Sequence, residues 1–242
     1  MKKLVTILCL VAMLVTLCAC GGNENELVMA TNAEFPPYEF HDGDEIVGID
    51  VEIAQAIADE MGRELVIEDM AFDSIIMAVN SGKADMGVAG LTITEDRMLS
   101  VNFSTPYTTA AQVIIVKEGS DIQGPDDLVG KIVGVQLGTT GDIYAGDIEN
   151  AIVERYNKGH EAVLALVQGK VDAVMIDSQP AKVFVEQNEG IMIIDEAFTY
   201  EEYAIAVAKE DTELLEEINA AIAKLQESGE LQAIVDKYIS AE

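Results

Sequence analysis

The sequence predicts an α/β fold with mostly parallel sheets. Two observations predict it: short apolar runs of strand length alternate with amphipathic stretches of helical period, and the junctions carry helix caps and stops. Residues 27–31 read as the first strand. Asp50 is expected to cap a helix over 51–61, where Val51, Ile53, Ala54, Ile57, Ala58 and Met61 fall at helical spacing and Gly62 ends the run. A short strand at 65–67 precedes a helix over 74–81, capped by Asp73 and stopped by Gly82. Strands follow at 86–89, 113–116 and 132–135, then a turn and a helix from about Thr140. A helix at 161–167 and a strand at 173–176 lead to a helix opened by Ser178 and Pro180 and running to about Gln187. Strands at 191–194 and 203–207 complete the pattern. Asp211 then caps a long helix through Leu214, Leu215, Ile218, Ile222 and Leu225, and Gly229 separates a last helix ending at Tyr238. The loop-rich stretch 118–130 marks a possible start of a second lobe. In such sheets ligands bind at the carboxyl ends of strands, near helix N-termini.

The chain has 242 residues, enough for a sizeable core, with 44 acidic against 14 basic residues and a formal charge of −30. That balance excludes a basic nucleic-acid footprint and a polybasic membrane patch. With 50% apolar and only 24% charged residues, disorder is a poor reading as well.

The N-terminus reads as an address. Met1-Lys2-Lys3 is positive, and residues 4–17 carry no charge but are too few to span a bilayer, which takes about 20 apolar residues. Residues 1–19 are expected to be a signal peptide. Leu17-Cys18-Ala19-Cys20 resembles a bacterial lipobox, which implies cleavage before Cys20 and a diacylglyceryl thioether on it; an ordinary cleavage site after Ala19 is the competing reading. Residues 20–26 then form a lipid-anchored tether. All three cysteines lie within the first 20 residues, so no disulfide framework and no cysteine metal site is expected in the body.

Familiar catalytic signatures are missing. No G-x-S-x-G elbow and no H-E-x-x-H occur, and no G-x-G-x-x-G follows a strand. Gly124 and Gly130-Lys131-Ile132 depart from a P-loop in spacing and in the residue after the lysine. Asp42-Gly43-Asp44-Glu45 lacks the twelve-residue calcium pattern. His41 reads as solvated and His160 as a surface cap. No metal and no cofactor is expected.

What remains suits a small zwitterion. Gly90-Leu91-Thr92-Ile93-Thr94-Glu95-Asp96-Arg97 follows the strand at 86–89, with Thr94 placed to cap the next helix and Arg97 in its first turn. A cation there opposes the helix dipole unless an anion is bound between them, and a guanidinium suits a carboxylate. A surface pair with Glu95 or Asp96 is the competing reading. Gly138-Thr139-Thr140-Gly141 offers backbone N–H groups and hydroxyls to the same anion, or is a plain cap. Asp177 ends a strand, placed for an ammonium or for another N-cap. Phe35-Pro36-Pro37-Tyr38, Phe40 and Phe72 could clamp an aliphatic stem or cover a cation, or be core under a loop.

These residues together resemble the family 3 extracellular solute-binding proteins of polar amino-acid ABC transporters, over essentially the whole mature chain. The most specific stretches are Ala30-Thr31-Asn32-Ala33-Glu34-Phe35-Pro36-Pro37-Tyr38-Glu39-Phe40, Val47-Gly48-Ile49-Asp50-Val51-Glu52-Ile53-Ala54, the Gly90 to Arg97 run, Val101-Asn102-Phe103-Ser104-Thr105-Pro106-Tyr107, Gly134-Val135-Gln136-Leu137-Gly138-Thr139-Thr140-Gly141 and Val171-Asp172-Ala173-Val174-Met175-Ile176-Asp177. The resemblance implies a two-lobed, type II periplasmic-binding-protein-like fold with two crossover hinge strands, at 110–116 and 201–205. Lobe 1 would take 27–111 plus 204–242, and lobe 2 would take 112–203. It implies that Arg97 pairs with the ligand α-carboxylate, helped by Thr92, the Thr140 amide and Thr139. Asp177 and the Gly90 carbonyl would take the α-ammonium, Phe35 and Phe72 would sandwich the side chain, and Asn32 and Gln136 would read its end. Asn32 departs from the aspartate of many relatives for basic ligands, which weakens a basic ligand; Glu34 and Glu39 stay open as carboxylates that could reach in. The implied partners are a free amino acid, a membrane permease and its cytosolic ATPase, and the membrane itself through the lipid. No nucleic acid and no self-association is implied, and the location is the outer face of the cytoplasmic membrane. The same scaffold resembles cyclohexadienyl dehydratases, an enzymatic alternative that Asp177 argues against because prephenate has no amine. Input to a separate sensory receptor is a third reading.

Overall fold

The computed structural model describes residues 25–239. The signal peptide expected over 1–19 and the acylation expected at Cys20 lie outside the described residues. Glu26, read above as the end of the tether, opens the first strand.

Two mixed sheets dominate. The first has the order β5-β1-β6-β14-β7, formed by β1 (Glu26–Thr31), β5 (Glu64–Asp69), β6 (Met86–Gly87), β7 (Val101–Phe103) and β14 (Ala206–Ala208). The second has the order β10-β9-β11-β8-β12, formed by β8 (Thr108–Lys117), β9 (Ile132–Gln136), β10 (Ile152–Tyr156), β11 (Ala173–Asp177) and β12 (Ile191–Ile193), with β13 (Thr199–Tyr203) also paired to β8. A small antiparallel sheet of β2 (Glu34–Phe35), β3 (Glu39–Asp42) and β4 (Glu45–Val47) is attached to the first lobe.

The sheets are less parallel than expected. β14 runs antiparallel to β6 and β7, and β8 runs antiparallel to β11, β12 and β13. The reason is the connection between lobes. β8 leaves the first lobe and continues as an inner strand of the second, while β13 returns beside it and hands over to β14 inside the first sheet. The stretch read as one strand at 203–207 is therefore two strands, broken at Ala204 and Ile205 where the chain changes partner.

Period-two alternation builds both cores. In β8, Val113 and Ile115 pack on one face of the sheet while Ile114 and Val116 pack on the other. On the first lobe, α1 (Ile49–Met61), α7 (Thr212–Ser228) and α8 (Glu230–Tyr238) bring Ile53, Ile57, Ile218, Ile222 and Ile234 into one cluster. Each such side chain contributes about 1.5–3 kcal/mol by leaving water. α2 (Ile75–Asn80) covers the other face with Ile75 and Val79. In the second lobe α4 (Thr140–Asp147), α5 (Gly159–Val167) and α6 (Ser178–Gln187) flank the sheet.

Two expected caps are not caps. α1 starts two residues earlier than the sequence suggests, with Gly48 at the cap position, and Asp50 lies inside its first turn with its carboxylate turned into the core. Asp73 lies within a 3-10 turn over Phe72–Ser74, and α2 is shorter than the 74–81 expected. Asp211 does cap α7, accepting from the Leu214 N–H at 3.1 Å. His41 is exposed and approaches Asp69 at 3.2 Å. Lys158, not His160, holds the cap position of α5.

Candidate functional site

Arg97 is placed by a short turn of helix, α3 (Glu95–Met98), whose N-cap is Thr94; the Thr94 Oγ1 accepts from the Arg97 N–H at 3.2 Å. The guanidinium turns away from Glu95 and Asp96. Its Nη1 donates to the Thr92 carbonyl at 2.8 Å, and its Nη2 donates to the Gly138 carbonyl at 3.1 Å, across the cleft. It also lies 5.4 Å from the centre of the Phe72 ring, within cation–π range. Burial lowers its pKa, against the pull of Glu201 and Asp177.

Asp177 ends β11 and stands at the N-cap position of α6, yet its side chain makes no capping bond. It accepts a short hydrogen bond from the Tyr203 hydroxyl and is 7% exposed. Burial, and then the nearby Glu201 carboxylate, push it up to about 7, while the Tyr203 and Gln112 hydrogen bonds pull the other way.

These two groups share one cavity. Its wall takes Asn32, Phe35, Phe72, Gly90, Thr92 and Arg97 from the first lobe and Gln136, Thr139 and Asp177 from the second. Gly90 has φ +54°, and a Cβ there would lie 3.1 Å from the Phe35 ring and 3.2 Å from the Tyr203 ring, so the chain passes close over both aromatics. Thr140 does not line the cavity. Its hydroxyl accepts from Gln112 Nε2 at 3.3 Å, and its N–H, at the first position of α4, has no partner within the helix. Thr139 caps α4, accepting from the Asp142 N–H at 3.2 Å.

The cleft is closed. Gln136 Nε2 donates to Asn32 Oδ1 at 2.9 Å between the lobes. At the rim Glu34 pairs with Lys158, and its other oxygen lies 3.5 Å from His160 Nδ1.

Residues 27–241 match the family model of the bacterial extracellular solute-binding proteins, family 3. The chain belongs to this family. The arginine-binding extracellular protein ArtP of Bacillus subtilis (strain 168) is 33% identical over 254 residues, covering 100% of both chains. An ancestral arginine-binding protein solved with arginine is 41% identical, with a TM-score of 0.85 over 90% of this chain and 99% of that one. An ancestral arginine-binding protein solved with glutamine is 40% identical, with a TM-score of 0.84 over 91% and 100%. This solute-binding protein therefore shares the two-lobed fold of amino-acid-binding proteins of ABC transporters, and binding of a polar amino acid for import is its function.

Two further carboxylates of the solute-binding protein matter: Glu39, which the sequence left open beside Glu34, and Glu201, which it did not single out. Glu39, at the start of β3, is 0% exposed and lines the cavity. Burial and the neighbouring Asp50 carboxylate raise its pKa well above the usual carboxylate range. Glu201, on β13 in the hinge, is 5% exposed and joins both lobes: Thr92 Oγ1 donates to it at 3.0 Å and Gln112 Nε2 at 3.1 Å. The Phe-Pro-Pro-Tyr-Glu order held a signal for Glu39, because two prolines stiffen the loop before it. Glu201 was placed only as the start of the second crossover, and nothing in Tyr200-Glu201-Glu202 tells the buried glutamate from its exposed neighbour.

Proposed function

We propose that the cleft holds one free basic amino acid, arginine foremost, and that the closed protein hands it to an ABC permease. The single observation that carries this reading is three ionisable side chains around one cavity: Arg97 from one lobe, Asp177 from the other, and Glu39, whose oxygens accept no hydrogen bond from a protein N–H or O–H. Arg97 takes the α-carboxylate, which replaces the Thr92 and Gly138 carbonyls as its acceptor. Thr92, Thr139 and the Thr140 N–H add donors. Asp177 and the Gly90 carbonyl take the α-ammonium. Phe35 and Phe72 flank the side chain, and its cationic end meets Glu39, with Asn32 and Gln136 alongside. The arginine named for ArtP and for the ancestral protein supports the same ligand class.

One molecule bridging both lobes gains contacts that the open cleft lacks, so binding favours closure. Charge-assisted hydrogen bonds of about 1.5–3 kcal/mol each, less ordering terms, suffice for micromolar or tighter affinity, roughly −8 kcal/mol.

Glutamine is the second reading. The Asn32 and Gln136 amides are neutral and can both donate and accept, and a relative has been solved with glutamine. Calorimetry with L-arginine, L-lysine, L-histidine and L-glutamine, repeated in an Arg97→Ala variant, tests the site. Arginine should bind tightest, and every binding heat should vanish in the variant. Wild-type affinity in Arg97→Ala would overturn the assignment.

The reading includes no catalysis: turnover of prephenate or arogenate would contradict it. It also includes a lipid anchor on Cys20, carrying a monomer on the outer face of the membrane; labelled palmitate should enter the wild type and not Cys20→Ser.

A further inference from the structure

Resting on that reading of the cavity, we propose that Glu39 exchanges its own proton for the cation of the ligand side chain, so that a basic amino acid expels about one more proton than a neutral one.

Glu39 is fully buried, and neither of its carboxyl oxygens accepts a hydrogen bond from a protein N–H or O–H. The group it faces is the carboxyl of Asp50, on α1. Asp50 Oδ2 accepts from the Gly90 N–H at 2.8 Å and from the Tyr107 hydroxyl at 2.8 Å, while Oδ1 has no donor. Two ionised carboxylates set against each other offer acceptors only, and they repel in a medium of low dielectric. A proton on Glu39 turns that contact into a hydrogen bond donated to Asp50. The donors decide which carboxyl keeps the proton: Asp50 holds two that favour its anion, and Glu39 holds none.

The other ionisable neighbours act in the same sense. Asp177 of β11 and Asp69 of β5 add negative charge, and Tyr38 and Tyr107 stay neutral because burial raises both. On the flanking strands Glu34 turns to Lys158 and His160 at the rim, and Glu45 is exposed. Arg97, the cation of the same cavity, is held by the Thr92 and Gly138 carbonyls.

An arriving guanidinium or ammonium supplies the N–H donors that Glu39 lacks and stabilises its anion. The carboxyl O–H bond breaks, its proton passes to solvent, and the ligand cation takes its place, so charge in the cavity is conserved. A neutral side chain leaves the proton where it is. Asp177 gives up a further fraction of a proton to any amino acid, because the α-ammonium is common to all; the difference between ligands isolates Glu39.

Calorimetry of the mature chain at pH 7 in phosphate and in Tris tests this, since the dependence of the observed heat on buffer ionisation enthalpy counts protons. L-Arginine should release about one proton more than L-glutamine or L-citrulline, and Glu39→Gln should abolish the excess. Between pH 6 and 8 the arginine affinity of the wild type should rise with pH more steeply than that of Glu39→Gln, by up to about tenfold per unit, as linkage requires for one proton. This second measurement decides the matter if the neutral ligands bind too weakly to titrate. If the variant does not fold, the wild-type excess alone decides. Equal proton counts for both ligands, an excess that persists in Glu39→Gln, or binding of glutamine without arginine would overturn the exchange while leaving an amino-acid site. Binding of neither would overturn the site and the exchange together.

Discussion

Arg97 of the first lobe donates to the Gly138 carbonyl of the second at 3.1 Å. The same guanidinium holds the Thr92 carbonyl at 2.8 Å, so one side chain ties the strand end of one lobe to the helix turn of the other. A carboxylate entering between them would exchange two neutral acceptors for a charged one.

Removing this group should therefore cost affinity and little else. Arg97→Ala is expected to raise Kd at least about 100-fold, corresponding to loss of charge-assisted bonds of about 1.5–3 kcal/mol each. Arg97→Lys should fall between, because an ammonium cannot form the two-pronged pair. The ligand-free melting temperature should stay within about 2 °C, since Arg97 lies at the cleft outside both apolar cores and its two acceptors are carbonyls that water can reach once the side chain is gone.

Asp177 should show the opposite trade. Its pKa in the closed, ligand-free fold is about 7, above the ordinary 3.8, so the native state holds the proton more tightly than the unfolded chain. That contribution is fully present below about pH 4 and is lost as pH rises through 7. At pH 8 the buried charge is a liability, and Asp177→Asn is expected to melt several degrees higher than the wild type, about 1 kcal/mol moving Tm by 2–4 °C in a chain of this size. At pH 4 the two should melt alike. The same substitution should weaken amino-acid binding at least about 100-fold, as loss of one partner of a buried charge pair does. Thermal melts at both pH values and one titration check all three outcomes.

Gly138 of the second lobe lies close against Asp73 of the first. It has φ +79°, and a Cβ would lie 3.0 Å from the Cβ and 3.3 Å from the Cα of Asp73. Gly138→Ala should raise Kd about tenfold by wedging the cleft and straining a left-handed turn, each effect being of order 1 kcal/mol. Adding Asp73→Gly should recover the wedge part alone. Small-angle scattering at equal saturation would report the wider single variant directly.

The rim should matter less. Lys158 and His160 approach Glu34 across the cleft, but both side chains are more than two-fifths exposed, at 42% and 44%. Lys158→Ala is expected to weaken binding by no more than about fivefold, the range of exposed ion pairs, and the effect should fade in high salt.

Most of the helices and inner strands were legible because their apolar residues repeat at helical or strand period and their ends carry Gly or Asp. The small sheet of β2, β3 and β4 was not, since two- to four-residue strands such as Glu34–Phe35 hold no period. Asp50 misled for a physical reason: an acidic residue in a first helical turn has the composition of a cap, but its carboxylate is recruited inward by the Gly90 N–H and the Tyr107 hydroxyl, groups distant in sequence. Arg97 and Asp177 stood out because each sits at a strand-to-helix junction. Glu39 stood out only beside Glu34, with nothing to choose between them, and Glu201 did not stand out at all, because a glutamate that will be buried looks like a solvated one until the fold closes over it.

The most direct test is a crystal structure with L-arginine bound. The account predicts its α-carboxylate on the Arg97 guanidinium, its α-ammonium on Asp177 and its side-chain guanidinium against Glu39, all within one closed cleft. A ligand held by one lobe only, or one leaving Arg97 and Asp177 on their present protein partners, would contradict it.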